Sequence, residues 1–98
     1  MSEEWPPKDV VRVDLGHGVS WSRVVDQEEN WIGILEWHIC KDPDRLTPGG
    51  VYFENAPHDV HGARWTVESL DPLTISPSVL CRSCGLHGFI RDGRWIPA

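Results

Sequence analysis

The chain carries almost no helical signature. Nowhere in its 98 residues do apolar side chains recur at the 3.6-residue period over the length a helix needs, which excludes a helix bundle or a doubly wound α/β fold. No apolar run approaches the ~20 residues of a membrane-spanning helix, and no basic-then-apolar leader opens the chain, so no membrane partner is expected. Basic residues are scarce: nine Lys and Arg stand against 15 Asp and Glu, a formal net charge of -6. That balance repels a phosphate backbone, so nucleic acid is not expected as a partner, although Arg82, Arg91 and Arg94 cluster near the C-terminus. Cysteine is limited to three. An odd, small number without a secretion leader argues against a disulfide framework and points to a reducing cytoplasm, with metal-bound or free thiols.

At this length one domain is expected, spanning 10–98 after an extended N-terminal arm at 1–9. Such a chain buries only about two-thirds of its unfolded surface, so a metal staple would help it fold. Six tryptophans are expected to supply bulky core area, since each aromatic side chain removes much surface from water.

Nine glycines and eight prolines punctuate short apolar runs, the pattern of an all-β domain. About seven short, mainly antiparallel strands are predicted. Val10 to Leu15 alternates apolar and polar residues; Val19 to Val25 follows a turn at Gly16-His17-Gly18. After the acidic loop Asp26 to Asn30 comes the longest candidate, Trp31 to Cys40. Lys41 to Gly50 reads as a loop, Val51 to Glu54 as a short strand, and Asn55 to Ala63 as a second loop holding His58 and His61. Trp65 to Leu70 and Leu73 to Leu80 flank an Asp71-Pro72 turn. His87 to Arg91 and Arg94 to Ile96 flank Asp92-Gly93, a strong type I′ hairpin signal. Unpaired strand edges would allow a homodimer.

Chemistry concentrates in Cys81-Arg82-Ser83-Cys84-Gly85-Leu86-His87. A Cys-x2-Cys turn closed by glycine suits half of a tetrahedral zinc site. The third cysteine, Cys40, follows His38 by two residues, so both point to one face at the end of the Trp31 to Cys40 strand. His38, Cys40, Cys81 and Cys84 are therefore the expected ligands of one structural Zn2+, soft thiolates favouring such a metal over magnesium. His87, three residues beyond Cys84, is an alternative fourth ligand. His17, His58 and His61 are expected to face solvent.

The segment Trp65-Thr66-Val67-Glu68-Ser69-Leu70-Asp71-Pro72-Leu73-Thr74-Ile75-Ser76-Pro77-Ser78, followed by Cys84-Gly85-Leu86-His87-Gly88-Phe89-Ile90-Arg91-Asp92-Gly93, resembles a family of small phage and bacterial proteins described as a domain of unknown function. The wording through Arg94-Trp95-Ile96-Pro97 is similar to accessory proteins of actinobacterial phages. The resemblance implies a phage-encoded cytoplasmic accessory protein that binds a host or phage protein. Some bacterial members of that family look like serine peptidases of ubiquitin-like systems. Carried over, this makes Ser78 or Ser76 a nucleophile and His87 its base, with Glu68 or Asp71 to orient the imidazole. The other reading of Thr74, Ser76 and Ser78 is that their hydroxyls satisfy backbone groups at a strand edge.

Overall fold

The computed structural model describes residues 10–57 and 62–98. The expected arm at 1–9 and the loop histidines His58 and His61 lie outside the described residues. The described chain is all-β, with nine strands and no helix. They are β1 (Val13–Gly16), β2 (Val19–Val25), β3 (Trp31–Ile39), β4 (Leu46–Phe53), β5 (Arg64–Leu70), β6 (Leu73–Ser76), β7 (Val79–Leu80), β8 (His87–Arg91) and β9 (Arg94–Pro97). Among these residues no helix is long and apolar enough to cross a membrane.

A six-stranded sheet runs in the order β1-β2-β3-β4-β5-β6, and a three-stranded sheet in the order β7-β8-β9. Pairing is antiparallel except for a short parallel contact, Tyr52 with Arg64 and Phe53 with Trp65, between β4 and β5. The alternation read from the sequence sets which faces are buried. In the small sheet Val79, Ile90 and Trp95 turn inward, while Leu80, His87, Arg91 and Ile96 face solvent. The inward set joins Leu15, Ile34, Val51, Leu73 and Ile75 of the large sheet in one apolar cluster. Fully burying each such side chain contributes about 1.5–3 kcal/mol. Trp21, Trp37 and Trp95 are buried and Trp31 and Trp65 half-buried, so the described tryptophans do serve the core.

Two segments depart from the expected pattern. Lys41 to Gly50 is not a loop throughout, because β4 begins at Leu46 and pairs along β3 from Ile39–Leu46 to Gly33–Tyr52. Pro48, Gly49 and Gly50 are poor strand formers, but a complete partner strand overrides that preference. Pro48 is tolerated because β5 pairs only with Tyr52 and Phe53, leaving a sheet edge where its missing N–H costs nothing. The second departure is Leu73 to Leu80, which is two strands in different sheets. Pro77, joined to Ser76 by a cis peptide bond, has no N–H for either ladder and marks the break. The first change lengthens a strand and the second adds one, so the eight segments read from the sequence become nine strands where about seven were expected.

The small sheet is tied to the large one at its hairpin tip. Asp92 and Gly93 both have positive φ, 51° and 70°, the type I′ geometry expected of this dipeptide. The Gly93 N–H donates to the Leu73 carbonyl at 2.9 Å, and the Asp92 N–H to Thr74 Oγ1 at 2.9 Å.

Candidate functional site

Two sites sit at opposite ends of β7. The first is a cluster of four side chains that could hold a metal ion. His38 Nε2 lies 3.4 Å from Cys84 Sγ, and Cys40 Sγ lies 3.8 Å from Cys81 Sγ. One donor atom from each of these four residues falls within 4.8 Å of every other. A tetrahedral ion with metal–sulfur bonds of ~2.3 Å has sulfur–sulfur edges of about 3.8 Å, so the donor set fits such an ion. The expected pairing of a strand end with a distant turn is what brings them together. His38 occupies the buried face of β3, Cys40 follows its last residue, and Cys81 follows the last residue of β7.

The turn itself is built to hold thiolates. The Gly85 N–H donates to the Cys81 carbonyl at 2.8 Å, the Cys81 N–H to the Leu86 carbonyl at 2.7 Å, and Gly85 takes a φ of +84°. That left-handed conformation suits glycine. Burial disfavours the Cys81 thiolate, but the N–H groups of Cys84 and Ser83 outweigh it and lower its pKa to about 7. Burial, reinforced by the neighbouring Cys84 and Cys81 thiols, pushes the Cys40 thiol up to about 11. A cation held by these side chains would favour the deprotonated form of its thiol ligands.

Glu36 completes the cluster from behind. It is buried on the same face of β3 as His38, and its Oε2 lies 2.5 Å from His38 Nδ1. Burial raises the Glu36 pKa against the opposing pull of the His38 hydrogen bond and charge. Burial works against protonated His38 too, but the hydrogen bond and charge of Glu36, aided by the Cys84 and Cys81 contacts, win and raise its pKa. A carboxylate on Nδ1 fixes the tautomer that leaves Nε2 free to bind a metal. The period of two along β3 puts Glu36 on the face of His38, but the sequence alone gives it no role. Its signal was a lone charge inside an apolar strand, two residues from a candidate ligand.

The second site is a hydroxyl–imidazole pair. Ser78 Oγ lies 2.9 Å from His87 Nε2. Register explains the contact: Leu80 pairs with His87, and Ser78, two residues before Leu80, shares its face, so the pair lies diagonally across β7 and β8. That face is the solvent face of the small sheet. Phe89, next on the same face, has its ring centroid 6.4 Å from that of His87. The Trp65 indole N–H donates to the carbonyls of Pro77 at 3.1 Å and Ser78 at 3.3 Å, clamping the segment that carries the hydroxyl. This clamp was not foreseen.

Ser76, the other candidate nucleophile, lies in β6 opposite Thr66, in the large sheet and apart from His87. Glu68 is in β5 and Asp71 in the β5–β6 turn; among the described residues no carboxylate hydrogen-bonds His87. His87 is not in the metal cluster, because β8 turns it to the solvent face while the cysteine turn folds back towards β3. Thr74, by accepting from Asp92, does the backbone work that the alternative reading assigned to these hydroxyls.

No curated protein and no solved structure matches the chain. Residues 51–98 match the model of a family described as the bacterial ubiquitination-like system serine protease, BubE. That stretch holds Ser78, His87, Cys81 and Cys84, so the similarity covers the whole hydroxyl–imidazole pair and half of the metal cluster.

Proposed function

We propose that this protein is a zinc-stapled serine hydrolase acting on peptide or protein substrates, with Ser78 as nucleophile and His87 as base. The observation that carries this reading is the 2.9 Å contact between Ser78 Oγ and His87 Nε2 on an open sheet face. The similarity of residues 51–98 to a serine protease family supports it. With His87 neutral and protonated at Nδ1, Nε2 accepts the hydrogen bond from the Ser78 hydroxyl. As Oγ bonds to a substrate carbonyl carbon, that proton passes to Nε2. The imidazolium then gives the proton to the leaving amine as the C–N bond breaks, leaving an acyl ester on Ser78. A water, deprotonated by His87, cleaves the ester and restores the hydroxyl.

His38, Cys40, Cys81 and Cys84 would hold the zinc. Four protein ligands fill a tetrahedral site, so the metal supplies structure, fixing the turn beyond β7. The reaction uses a dyad, since His87 has no carboxylate partner among the described residues.

Labelling of the folded protein by a fluorophosphonate tests the reading. Ser78→Ala and His87→Ala are expected to abolish labelling, and Ser76→Ala to retain it. If the probe leaves the wild-type protein untouched while a pull-down returns one host or phage protein, the chain is a binding module and the hydrolase reading fails.

A further inference from the structure

The solvent face of the small sheet carries more than the hydroxyl–imidazole pair. Along β8 the period of two puts Phe89 and Arg91 on the face of His87, and the three stand in a row. The Phe89 ring centroid lies 6.4 Å from that of His87, and the Arg91 guanidinium carbon lies 5.0 Å from the Phe89 centroid. β9 widens the face, since Ile96 pairs with Phe89 and Arg94 with Arg91. Ile96 is 43 % exposed. The row thus leads from the Ser78 hydroxyl over apolar ground to two guanidinium groups.

Those two groups are an unfavourable pair by themselves. Like charges on directly opposed residues of a ladder repel each other. Among the described residues neither Arg91 nor Arg94 forms an ion pair, not even with Asp92 in the turn between them. The chain does not lack carboxylates, with 15 Asp and Glu against nine Lys and Arg, yet none lies in β7, β8 or β9. Arg91 is further steadied by its place over the Phe89 ring, a contact that leaves the guanidinium N–H groups free to donate. Two such forks at one register position are complementary to a carboxylate.

We propose that this face is the substrate-recognition surface of the hydrolase and that it selects acidic peptides. A carboxylate side chain about four residues from the scissile bond sits between Arg91 and Arg94, with an apolar side chain between it and that bond lying on Phe89 and Ile96. The inference rests on the hydrolase reading above and adds to it the class of sequence that the site takes. The spacing follows from the sheet. An extended substrate rises by the same ~3.3 Å per residue as β8, so it runs in step with His87, Phe89 and Arg91.

Protection of Ser78 from an alkyl fluorophosphonate tests this. Two N-acetylated, C-amidated peptides of about ten residues, rich in serine and leucine, are compared. One has glutamate near each end, where the other has glutamine. The blocked ends leave side chains as the sole source of carboxylate, and the symmetry serves either direction of binding. The readout is the ratio of the concentrations that halve the labelling rate, glutamine peptide to glutamate peptide. In the wild-type protein it is expected to be about threefold to tenfold, the scale of one or two exposed carboxylate–guanidinium contacts. It should fall towards one in the double variant Arg91→Gln, Arg94→Gln. The single variants should give intermediate ratios and decide the question if the double variant does not fold. A wild-type ratio of one, protection by neither peptide, or a ratio unchanged by the arginine substitutions overturns the recognition surface while leaving Ser78 a nucleophile. If the fluorophosphonate does not label the wild-type protein, the hydrolase reading falls, and the recognition surface with it.

Discussion

Glu36 is the residue that most tightly couples burial to chemistry. A carboxylate taken out of water is costly unless it is paired, and at 2 % exposure its partner is His38. A histidine held at Nδ1 by a carboxylate is a better and better-aimed metal ligand through Nε2. Glu36→Gln keeps the size and an accepting oxygen but removes the charge. It is expected to lower metal affinity about 10- to 100-fold, read by competition with a chelating indicator; wild-type affinity in this variant would show that the carboxylate has no hold on the metal. The grouping of His38, Cys40, Cys81 and Cys84 was legible from two short spacings and a shared strand face, although spacing left His87 open as an alternative to His38. Glu36 was visible as a charge in an apolar run, but its bond to His38 required knowing that the face was buried. The choice between Ser76 and Ser78 was not legible at all. It depends on where Pro77 ends one ladder and which sheet the next residue joins.

Among the elements, β2, β3 and the β8–β9 hairpin follow directly from alternation and from Asp92-Gly93. β4 does not, because Pro48-Gly49-Gly50 carries loop chemistry in a segment that only its pairing with β3 makes a strand. The break between β6 and β7 was likewise hidden inside one apolar run. Its consequence reaches the site, since Ser78 sits in the joint between two sheets and is held there by Trp65 of β5. Trp65→Phe keeps an aromatic side chain, a smaller one, but loses the donor to the Pro77 and Ser78 carbonyls. It is expected to cost about 1 kcal/mol of stability, measured by the urea midpoint, and to slow fluorophosphonate labelling of Ser78 several-fold. An unchanged labelling rate in a protein with a shifted midpoint would show that the indole supports the fold without positioning the nucleophile.

At the scale of the molecule, the metal cluster joins the end of β3 to the turn between β7 and β8, across 41 residues separating Cys40 from Cys81. A structural zinc contributes on the order of 10 kcal/mol or more at neutral pH, comparable to the entire ~5–15 kcal/mol that stabilises an ordinary domain. Removing the metal with a strong chelator is therefore expected to abolish the cooperative thermal transition followed by circular dichroism, and adding zinc back under reducing conditions to restore it. Persistence of the same transition after the metal is gone would show that the two sheets hold each other without the staple.

His38 and Cys40 precede residue 51, where similarity to the serine protease family begins, whereas Ser78 and His87 follow it. Ser78 and His87 thus lie on one side of that border and two of the four clustered side chains on the other. A recombination event near residue 50 would carry Ser78, Cys81, Cys84 and His87 into a new chain without His38 and Cys40. On the zinc reading proposed above, such a chain would need two donors of its own, or another brace, at the position of the β3 terminus.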